Sequence, residues 1–385
     1  MSDSALHILL TDPHSGGGGQ VRYLGNLAQR LTQWGHRVTI ACRAGSVLET
    51  RAREAGATVL PVMRFRSGLR LRAWAHDVFA LRRYLLDERP DIIHVNGSQD
   101  HWAAVLARLL AFSRTPIVRT RHNTYSVDDH LANRWLNRHA TDFQIVVCET
   151  VRHDLSSHDA FDPERMTSIH NGVDPDEYAP DHAERKEARD EFGYSDQDFV
   201  FGIAARLAKA KGHEYLLRAA AMLKDKYPRM KLLSLGNGPL EAKLQDLCRE
   251  LGIEGRVTWA GFRNDVARCT QAFDAGVLPS IDCDTSSFSL KEEMACEKPV
   301  IASDYGGLIE IVEDGVEGLI VPAGTVEPLA EAMARLMDDP ESAIAMGKAG
   351  RERVCAEFSL EQFAGRTLEV YRQVIADAAG RRSSA

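Results

Sequence analysis

Short apolar runs rich in β-branched residues alternate with amphipathic segments along the whole chain. In the first 172 residues these runs are HILLT, VTIAC, TVLPV, IIHV, PIVRT, QIVVC and MTSIH. Amphipathic segments with helical periodicity separate them, for example residues 22–34 and 102–112. Strands that alternate with helices are typical of βαβ units and predict a parallel sheet.

The second half of the chain repeats this alternation. Its apolar runs are FVFGIA, KLLSL, VTWA, AGVLP, PVIA and GLIV, and helices are predicted over 213–226, 239–251 and 326–336. Between the halves, NGVDPDEYAP (171–180) combines turn residues with two prolines and predicts a linker, followed by a charged helix over 181–192. A last apolar-periodic helix over 360–376 precedes the polar tail GRRSSA.

The pattern therefore predicts an α/β fold with two Rossmann-like α/β/α domains that face each other across a cleft. The expected domains are residues 1–172 and 173–360. Residues 361–385 are expected to form a C-terminal helix that packs back on the N-terminal domain and ends in a frayed tail. Because ligands of open parallel sheets bind beyond the carboxyl ends of the strands, site residues are expected in the loops that follow strands.

Length and composition agree with two soluble globular domains. The 385 residues are 44% hydrophobic and 26% charged, and the apolar runs fall well short of the roughly 20 residues that span a bilayer. Asp3 stands where a signal peptide would carry basic residues, so we expect a cytoplasmic protein. The seven cysteines are odd in number and form no C-x-x-C pair, which argues against a disulfide framework and a zinc site.

Charge is divided unevenly between the two halves. Up to Gly172 there are 21 Arg, no Lys and 17 acidic residues, a balance of +4, whereas the remainder has 26 basic and 38 acidic residues, a balance of −12. Much of the positive charge lies in RFRSGLRLRAWAHDVFALRRYLLDER (64–89). This stretch is either an ordinary solvated helix or a face that meets anionic lipid or an anionic glycan. We expect no nucleic-acid partner.

The segment LPSIDCDTSSFSLKEEMACEKPVIASDYGG (278–307) carries the most informative chemistry of the chain. Asp284 and Glu292 lie eight positions apart around a run of small residues, and the predicted order is loop, short helix, strand and second glycine loop. The free N–H groups at a helix N-terminus attract phosphate. Since a carboxylate before the helix and another near its end can hold hydroxyls, the segment predicts a site for a sugar nucleotide.

Arg206 and Lys211 lie in the loop after the first strand of the second half. Two cations five residues apart before a helix can clamp a diphosphate, and the alternative is a solvated cationic loop. There is no G-x-x-x-x-G-K-[ST] motif, so ATP hydrolysis is not expected. Asp282-Cys-Asp284 has the D-x-D form of a metal–diphosphate site, but no second ligand cluster supports it. We therefore expect neither a metal nor a cofactor.

Two weaker motifs follow other strands of the second half. Gly236 and Asn237 come after KLLSL, where they form a turn at a helix start that can also approach a nucleotide. Phe262 and Arg263 come after VTWA, where the backbone can recognise the edge of a base. We assign all four to donor binding.

The first half offers a glycine loop after its first strand. SGGGGQ (15–20) allows the backbone at Gly18 and Gly19 to approach the donor phosphates or the acceptor, and the alternative is a flexible loop. The loop lacks the G-x-G-x-x-G form, and the second strand ends in Cys-Arg rather than in an acid. A nicotinamide cofactor is therefore disfavoured.

A histidine stands at the carboxyl end of a later strand of the first half. His122 follows PIVRT and is a candidate for acid–base chemistry or substrate contact, although a lone histidine can equally be structural. Its neighbours Arg119, Arg121 and Asn123 are candidates to contact the acceptor, as is Asn96.

Taken together, these motifs resemble the family 4 retaining glycosyltransferases of the two-Rossmann-domain (GT-B) class. Arg206-x4-Lys211 is similar to the diphosphate clamp of that family, LGNGP to its G-[DN]-G-P turn, and Asp284 through Glu292 to its E-x7-E element. EEMACEKPVIASDYGGLIEIVEDGVEGLIVP resembles its most specific block, and the glycine loop, His122 and IHNGVDPDEY match in position. The resemblance covers nearly the whole chain.

The resemblance implies roles for these residues. Arg206 and Lys211 would neutralise the diphosphate leaving group, and Glu292 would accept hydrogen bonds from the ribose hydroxyls. Asp284 would hold hydroxyls of the donor sugar, and His122 would contact that sugar. The acceptor would attack from the face of departure while the leaving phosphate helps to take its proton, so no enzyme nucleophile would be required.

The same resemblance places three residues in the phosphate loop and shows two departures from the family pattern. Ser287, Phe288 and Ser289 would bind phosphate through their backbone N–H groups. Asp284 stands where the family has a glutamate, which puts the identity of the transferred sugar in question. Glu297 stands where the family usually has a glycine.

These observations predict an enzyme that moves a sugar from a nucleotide-diphosphate sugar to a glycan or lipid-linked acceptor. The expected pathway is bacterial cell-envelope polysaccharide or lipopolysaccharide biosynthesis, with peripheral contact to the anionic cytoplasmic face of the inner membrane. A sugar-nucleotide epimerase and a non-catalytic nucleotide-sugar binding protein on the same scaffold are the alternatives. A dinucleotide-dependent oxidoreductase is weakened by the missing ribose acid.

Overall fold

The chain forms two compact units, each built on one parallel sheet. The structure is a computed structural model that describes residues 4–65, 70–122, 128 and 130–383. The N-terminal unit comprises Met1–Gly172 and Leu360–Ala385, and the C-terminal unit comprises Val173–Ser359. None of the described helices combines the length and the hydropathy that spanning a bilayer requires.

The N-terminal unit has a seven-stranded parallel sheet in the order β3-β2-β1-β4-β5-β6-β7. Its strands are β1 His7–Thr11, β2 Arg37–Arg43, β3 Thr58–Met63, β4 Ile92–Val95, β5 Ile117–Arg121, β6 Phe143–Val146 and β7 Met166–Ser168. Its first six helices are α1 Gly19–Gln33, α2 Val47–Glu54, α3 Leu71–Glu88, α4 Ser98–Leu110, α5 Leu131–Arg138 and α6 Glu149–Ser156.

The C-terminal unit has a six-stranded parallel sheet in the order β10-β9-β8-β11-β12-β13. Its strands are β8 Phe199–Ala204, β9 Met230–Leu235, β10 Val257–Gly261, β11 Ala275–Leu278, β12 Val300–Ser303 and β13 Gly318–Val321. Its helices are α7 His182–Phe192, α8 His213–Leu223, α9 Glu241–Leu251, α10 Val266–Gln271, α11 Phe288–Ala295, α12 Glu327–Asp338 and α13 Pro340–Arg353.

Buried apolar strands explain why both sheets follow the sequence pattern closely. Ile8, Leu9 and Leu10 of β1 are successive residues that point to opposite faces of the sheet, yet each is at most 1% exposed. Helices therefore cover both faces of the sheet, as is usual for parallel strands. The predicted α/β class with two Rossmann-like sheets is confirmed.

The strand order of each sheet reverses beside its first strand, between β1 and β4 and between β8 and β11. At such a point the loops after the two strands diverge and leave a crevice at the carboxyl edge, where ligands of this architecture bind. In the C-terminal unit the reversal brings together residues 205–212 and 279–287. In the N-terminal unit it brings together residues 12–18 and 96–97.

The C-terminal helix, α14 Leu360–Ser383, belongs to the N-terminal unit. Phe363 packs edge-to-face on Tyr23 with ring centroids 4.7 Å apart, and the Tyr371 hydroxyl lies 2.5 Å from Nδ1 of His94. The helix extends to Ser383, and the expected fraying of the tail stays a prediction.

Candidate donor and acceptor sites

The loop after β8, which carries Arg206 and Lys211, is pressed against the loop after β11. Gly212 ends it with φ +70°, and a Cβ at this position would lie 1.8 Å from the Pro279 carbonyl oxygen. Only glycine meets both conditions, because other residues rarely adopt this backbone conformation and none could avoid the clash. The glycine therefore allows the cationic loop to approach the loop that carries Asp284.

The approach pairs two of the predicted site residues. Nζ of Lys211 donates to Oδ2 of Asp284 at 2.7 Å, and the two side chains are 26% and 7% exposed. The Ser280 hydroxyl also donates to Oδ2 of Asp284. The Ser303 hydroxyl holds the backbone of Ser280 by donating to its carbonyl oxygen at 2.5 Å. A cation and a carboxylate that lie 73 residues apart in sequence are thus fixed side by side at the crevice.

Gly236 and Asn237 brace this cationic loop from the other side. A Cβ on Gly236, which has φ +135°, would lie 2.2 Å from the Ala205 carbonyl oxygen. The backbone N–H of Leu207 donates to the Asn237 carbonyl at 3.0 Å. The guanidinium of the exposed Arg206 makes no hydrogen bond with another described residue. The loop is therefore anchored on both sides of a cation that points away from the fold.

The predicted short helix of the phosphate loop is α11, whose N-terminus follows Asp284. Ser287 is its N-cap residue, because its hydroxyl accepts a hydrogen bond from the Leu290 N–H at 3.3 Å. The hydroxyls of Ser287 and Ser289 lie 3.1 Å apart. Phe288 and Ser289 are the first two residues of the helix, so the three predicted phosphate-loop residues form its first turn. Such a turn presents backbone N–H groups to an anion.

A second close glycine contact fixes the backbone of Asp284. Gly306 has φ +58°, and a Cβ on it would lie 2.1 Å from the Asp284 carbonyl oxygen. The N–H of Gly307 donates to the same oxygen at 3.3 Å. The glycine loop after β12 therefore holds the acidic loop in place.

A buried lysine on α11, which the sequence interpretation did not identify, supports the phosphate loop. Lys291 is 0% exposed, its Nζ donates to the Ser286 hydroxyl at 2.7 Å, and it lies 5.0 Å from the centroid of the Phe358 ring. The sequence carries no signal for this burial, since a lysine is normally expected at the surface. The cation ties the loop before α11 to the body of the helix.

Two acidic residues follow Lys291 on the same helix and are both buried. Glu292, the predicted ribose contact, is 3% exposed. Burial, together with the charge of Glu292, raises the pKa of Glu293 well above its usual range. A Cβ on Gly276 of β11 would lie 2.1 Å from Oε2 of Glu293, so the glycine makes room for this second acid. Glu293 therefore lies in the sheet–helix interface, where burial favours the protonated form of its carboxyl.

The remaining predicted donor residues lie at the end of β10. Phe262 is 69% exposed. The guanidinium of Arg263 is held by Asp265 at 2.7 Å and by Glu191 at 2.9 Å. Contact of either residue with a base stays a prediction.

The two carboxylates of the D-x-D sequence have separate partners. Asp282 accepts a hydrogen bond from the Tyr305 hydroxyl at 3.1 Å, whereas Asp284 pairs with Lys211. Within the described ranges, no group of three or more His, Cys, Asp or Glu side chains is placed to hold a metal ion. The geometry gives the D-x-D interpretation no support.

In the N-terminal unit the glycine loop leads into α1. Gly18 has φ +139° and caps the helix, and Gly19 is its first residue. Asp12, which is fully buried after β1, accepts hydrogen bonds from the His14 N–H at 2.7 Å and from the Gln20 side-chain amide at 2.5 Å. The Asp12 carboxylate therefore links His14, before the glycines, to Gln20, after them.

His122 contacts Asn96 at the carboxyl edge of this sheet, and the contact fixes its tautomer. Nε2 of His122 lies 2.9 Å from Oδ1 of Asn96. Since the Asn96 amide nitrogen donates to the Thr11 carbonyl at 3.3 Å, Oδ1 is the atom that faces the ring, and Nε2 must carry the proton. Burial lowers the pKa of His122 to about 3, so the imidazole is neutral and its Nδ1 is an acceptor.

Asp100 organises the backbone around Asn96, and the sequence interpretation missed it. Its carboxylate accepts from the Thr11 hydroxyl at 2.6 Å, from the Asn96 N–H at 3.0 Å and from the Gly97 N–H at 2.9 Å. Burial and the charge of Asp12 raise the pKa of Asp100 to about 6. This residue holds the loop after β4 against the end of β1.

The predicted acceptor residues do not all lie together. Arg121 is the last residue of β5 and directly precedes His122, so the two side chains project from opposite faces of the sheet. The guanidinium of Arg121 lies 5.3 Å from the centroid of the Phe161 ring. Asn96 and His122 are in contact on the other side. Asn123 lies outside the described residues.

Both units therefore combine a Rossmann-like sheet with polar residues at its switch point, which defines the GT-B class of glycosyltransferases. The family profile described as Glycosyl transferases group 1 matches residues 184–353, and the profile described as Glycosyltransferase Family 4 matches residues 17–177. Together the two matches span most of the chain, which belongs to glycosyltransferase family 4.

Individual relatives are distant. Alpha-D-kanosaminyltransferase of Streptomyces kanamyceticus is 25% identical over 373 residues, which cover 89% of this chain and 94% of that protein. EpsD of Bacillus subtilis (strain 168) is 32% identical over 190 residues, which cover 49% of this chain and only 50% of EpsD. Among solved structures, HepE of Anabaena in complex with UDP has a TM-score of 0.83 at 21% identity, over 96% of this chain and 100% of HepE. The structural likeness shows the fold.

Proposed function

We propose that the protein transfers a sugar, with retention of anomeric configuration, from a nucleotide-diphosphate sugar bound by the C-terminal unit. The observation that carries the proposal is the Lys211–Asp284 pair, which is fixed at the switch point beside the N-terminus of α11. A cation, a carboxylate and a helix N-terminus are the groups that a sugar diphosphate requires. The fold shared with HepE, a protein solved in complex with UDP, supports the same placement.

In the proposed reaction, the bond between the anomeric carbon and the diphosphate oxygen breaks while the acceptor oxygen bonds to the same face of that carbon. Negative charge grows on the leaving diphosphate, where Lys211 and Arg206 stabilise it. The acceptor hydroxyl gives its proton to the leaving phosphate oxygen. No side chain becomes covalently attached to the sugar, and the step requires no metal.

Asp284 and His122 are proposed to bind the transferred sugar. The Asp284 carboxylate accepts from sugar hydroxyls while Lys211 neutralises its charge, which keeps it from repelling the diphosphate. The neutral His122 ring is proposed to contact the substrate, and it does not act as a general acid near neutral pH. Glu292 is proposed to bind the ribose.

The experiment that tests the proposal mixes the protein with a panel of nucleotide sugars and follows its thermal unfolding. Binding of one nucleotide sugar should raise the transition temperature, and the same donor should then release nucleoside diphosphate in the presence of acceptor glycans. Retention is supported if the anomeric proton NMR signal of the product shows the same anomeric configuration as the donor. Inverted product, or donor turnover without any acceptor, would contradict the proposal, and so would loss of activity in EDTA that Mg²⁺ restores.

The acceptor is proposed to be a glycan or a lipid-linked glycan of the bacterial envelope. The protein is proposed to bind this acceptor at an anionic membrane surface. Along α3, the exposed residues Arg72, Phe79, Arg83 and Leu86 alternate basic and apolar character, and the nearby Phe112 is 94% exposed. Basic and aromatic side chains on one face suit the interface of an anionic bilayer. Co-sedimentation with phosphatidylglycerol vesicles at low salt should be strong for the wild type and weak for F79S/F112S. Equal sedimentation of both, or none of either, would remove the membrane from the proposal.

A further inference from the structure

We infer that Arg119 and Arg121 bind a phosphate-class anionic group of the acceptor. This inference rests on the proposed function, because it assigns the anion to the acceptor of the transfer. It concerns the N-terminal unit only, on the face of β5 opposite to His122.

The two arginines form an adjacent cationic pair. They are residues i and i+2 of β5, so their side chains leave the same face of the sheet. Arg119 is 8% exposed and Arg121 is half-buried. Burial lowers the pKa of Arg119 to about 10, and burial together with the charge of Arg119 lowers that of Arg121 to about 9. Both remain positively charged at neutral pH, so the pair repels itself.

Neither arginine forms an ion pair with a carboxylate among the described residues, and the charge of the nearby Asp100 offsets only part of the burial that lowers the pKa of Arg119. Arg119 donates to Nδ1 of His101 at 2.5 Å and to the Ser98 hydroxyl at 3.4 Å, and both are neutral groups. Its Nε has no hydrogen-bond partner within the described part of the chain, and the same holds for Nε of Arg121. The nearby Asp100 is already engaged by three other donors.

Arg121 makes even fewer contacts. Its guanidinium lies over the ring of Phe161, and its side chain forms no hydrogen bond with another described residue. Burial of an uncompensated charge is costly, and a protein normally pairs each buried arginine with an acid. Two neighbouring arginines that form no ion pair with an acid can therefore bind a negatively charged group of a ligand.

The pair also lies where an anion is favoured by the backbone. Ser98 is the first residue of the thirteen-residue helix α4, and its exposed hydroxyl is the one that Arg119 contacts. The positive end of the helix dipole thus adds to the two guanidinium charges. Phosphate suits this arrangement because guanidinium groups bind it through two parallel hydrogen bonds.

The test measures binding of inorganic phosphate by calorimetry at low ionic strength. Because phosphate can also bind the diphosphate clamp, all variants carry K211A. R121Q should weaken phosphate binding at least tenfold, and the conservative R121K should retain part of it. The matched control is R152Q, which removes an exposed arginine paired with Glu149 in the same unit and should leave binding unchanged.

Thermal unfolding of the same variants separates ligand binding from a structural role. Removal of an uncompensated charge should leave the transition temperature of R121Q unchanged or raise it. A transition temperature that falls by several degrees while phosphate binding is retained would overturn the inference. Absence of phosphate binding in K211A alone would overturn it as well.

Competition identifies the source of the phosphate. Displacement of inorganic phosphate by glycerol 3-phosphate alone supports a soluble acceptor, and displacement also by phosphatidylglycerol micelles supports a lipid-linked one. Displacement by neither would overturn the assignment to an acceptor. Donor binding is measured in parallel on protein with Lys211 intact, so a protein that binds nucleotide sugar but no phosphate contradicts this inference alone. A protein that binds phosphate but no nucleotide sugar contradicts the proposed function.

Discussion

Lys211 and Asp284 form an ion pair that is proposed to bind the donor substrate. Lys211 is partly exposed but Asp284 is buried, so loss of the lysine leaves a buried carboxylate without its cation, which destabilises the fold. The same cation beside a leaving diphosphate acts on charge that develops in the transition state, where one well-placed group contributes a factor of about 10²–10³ in rate. Loss of Lys211 should therefore lower both stability and activity, and the two effects are measured separately.

Substitution K211A should lower kcat by about 10²–10³-fold, because the growing charge on the diphosphate loses its partner. The transition temperature should fall as well, because the buried Asp284 loses its cation, so turnover is measured well below the transition of the variant. Steady-state kinetics and thermal unfolding measure the two effects. The matched control is K209A, an exposed lysine in the same loop, which should keep near-normal turnover. Turnover of K211A close to that of K209A would refute the clamp.

Lys291 is predicted to position the phosphate loop through Ser286. K291M should raise the KM for the donor several-fold while kcat falls less, because the loop loses its tie to the helix. S286A should have a smaller effect in the same direction. A double-mutant cycle measures their coupling, expected in the range of about 0.5–3 kcal/mol for residues in contact. Additive effects of K291M and S286A on donor binding would contradict this role.

At the scale of elements, the first turn of α11 stabilises the helix through its cap, and it is proposed to bind phosphate as well. Its cap is the Ser287 hydroxyl, and its N–H groups face the crevice edge that follows Asp284. Serine and aspartate are both good N-cap residues, but only aspartate adds a negative charge. Substitution at this one position can therefore separate the two tasks.

S287A should lower the stability of the C-terminal unit by about 1 kcal/mol, because the Leu290 N–H loses its acceptor. S287D should keep the transition temperature near that of the wild type but raise the donor KM strongly, since its carboxylate repels the diphosphate. Thermal unfolding of both variants measures the stability, and donor titration of both measures the binding of the donor. If S287D bound donor as tightly as S287A, the phosphate would not lie at this turn.

The elements that the sequence predicted best are the ones that continuous apolar runs define. The strands of both sheets end within two residues of their predicted ends, because buried parallel strands need apolar residues on both faces. Helix α13 escaped prediction, since its buried positions include the small residues Ala343, Gly347 and Gly350, which give little periodic signal.

Site residues could likewise be predicted only where a local sequence pattern marks them. Glycine loops after strands could be located from sequence, because only glycine permits such close approaches as that of Gly212 to Pro279. The pairing of Lys211 with Asp284 depends on which strands are neighbours, and no local pattern records that order. Burial of Lys291 was equally unreadable, because a lysine is normally expected at the surface.

At the scale of the whole molecule, three buried histidines and the half-buried His122 should make the fold sensitive to acid. Burial lowers the pKa of His94 and His122 to about 3 and that of His213 to about 4, and it lowers that of His101 well below its usual value. Each folded pKa lies below the unfolded value of 6.5. Their stabilising contribution is therefore fully present above pH 6.5 and is lost as the pH falls toward the folded values.

H94Q tests this pH dependence, because glutamine keeps a donor and an acceptor for Tyr371 and Thr120 without a titrating group. Between about pH 4 and 6, the unfolding free energy of the wild type should fall more steeply than that of H94Q, by about 1.4 kcal/mol per pH unit. Denaturant unfolding of both proteins across this range measures the difference. Parallel pH profiles would show that His94 is not held neutral.

Because α14 completes the N-terminal unit, that unit is assembled from the first and last parts of the chain. During synthesis Tyr23 and His94 emerge early, but Phe363 and Tyr371, which contact them, are made only after the whole C-terminal unit. The C-terminal unit is one continuous stretch and can fold on the ribosome while the earlier sheet still lacks a helix. The N-terminal sheet is therefore translated first, but its unit is completed only after α14 has been translated, and until then the polar core around His94 lacks the Tyr371 hydroxyl.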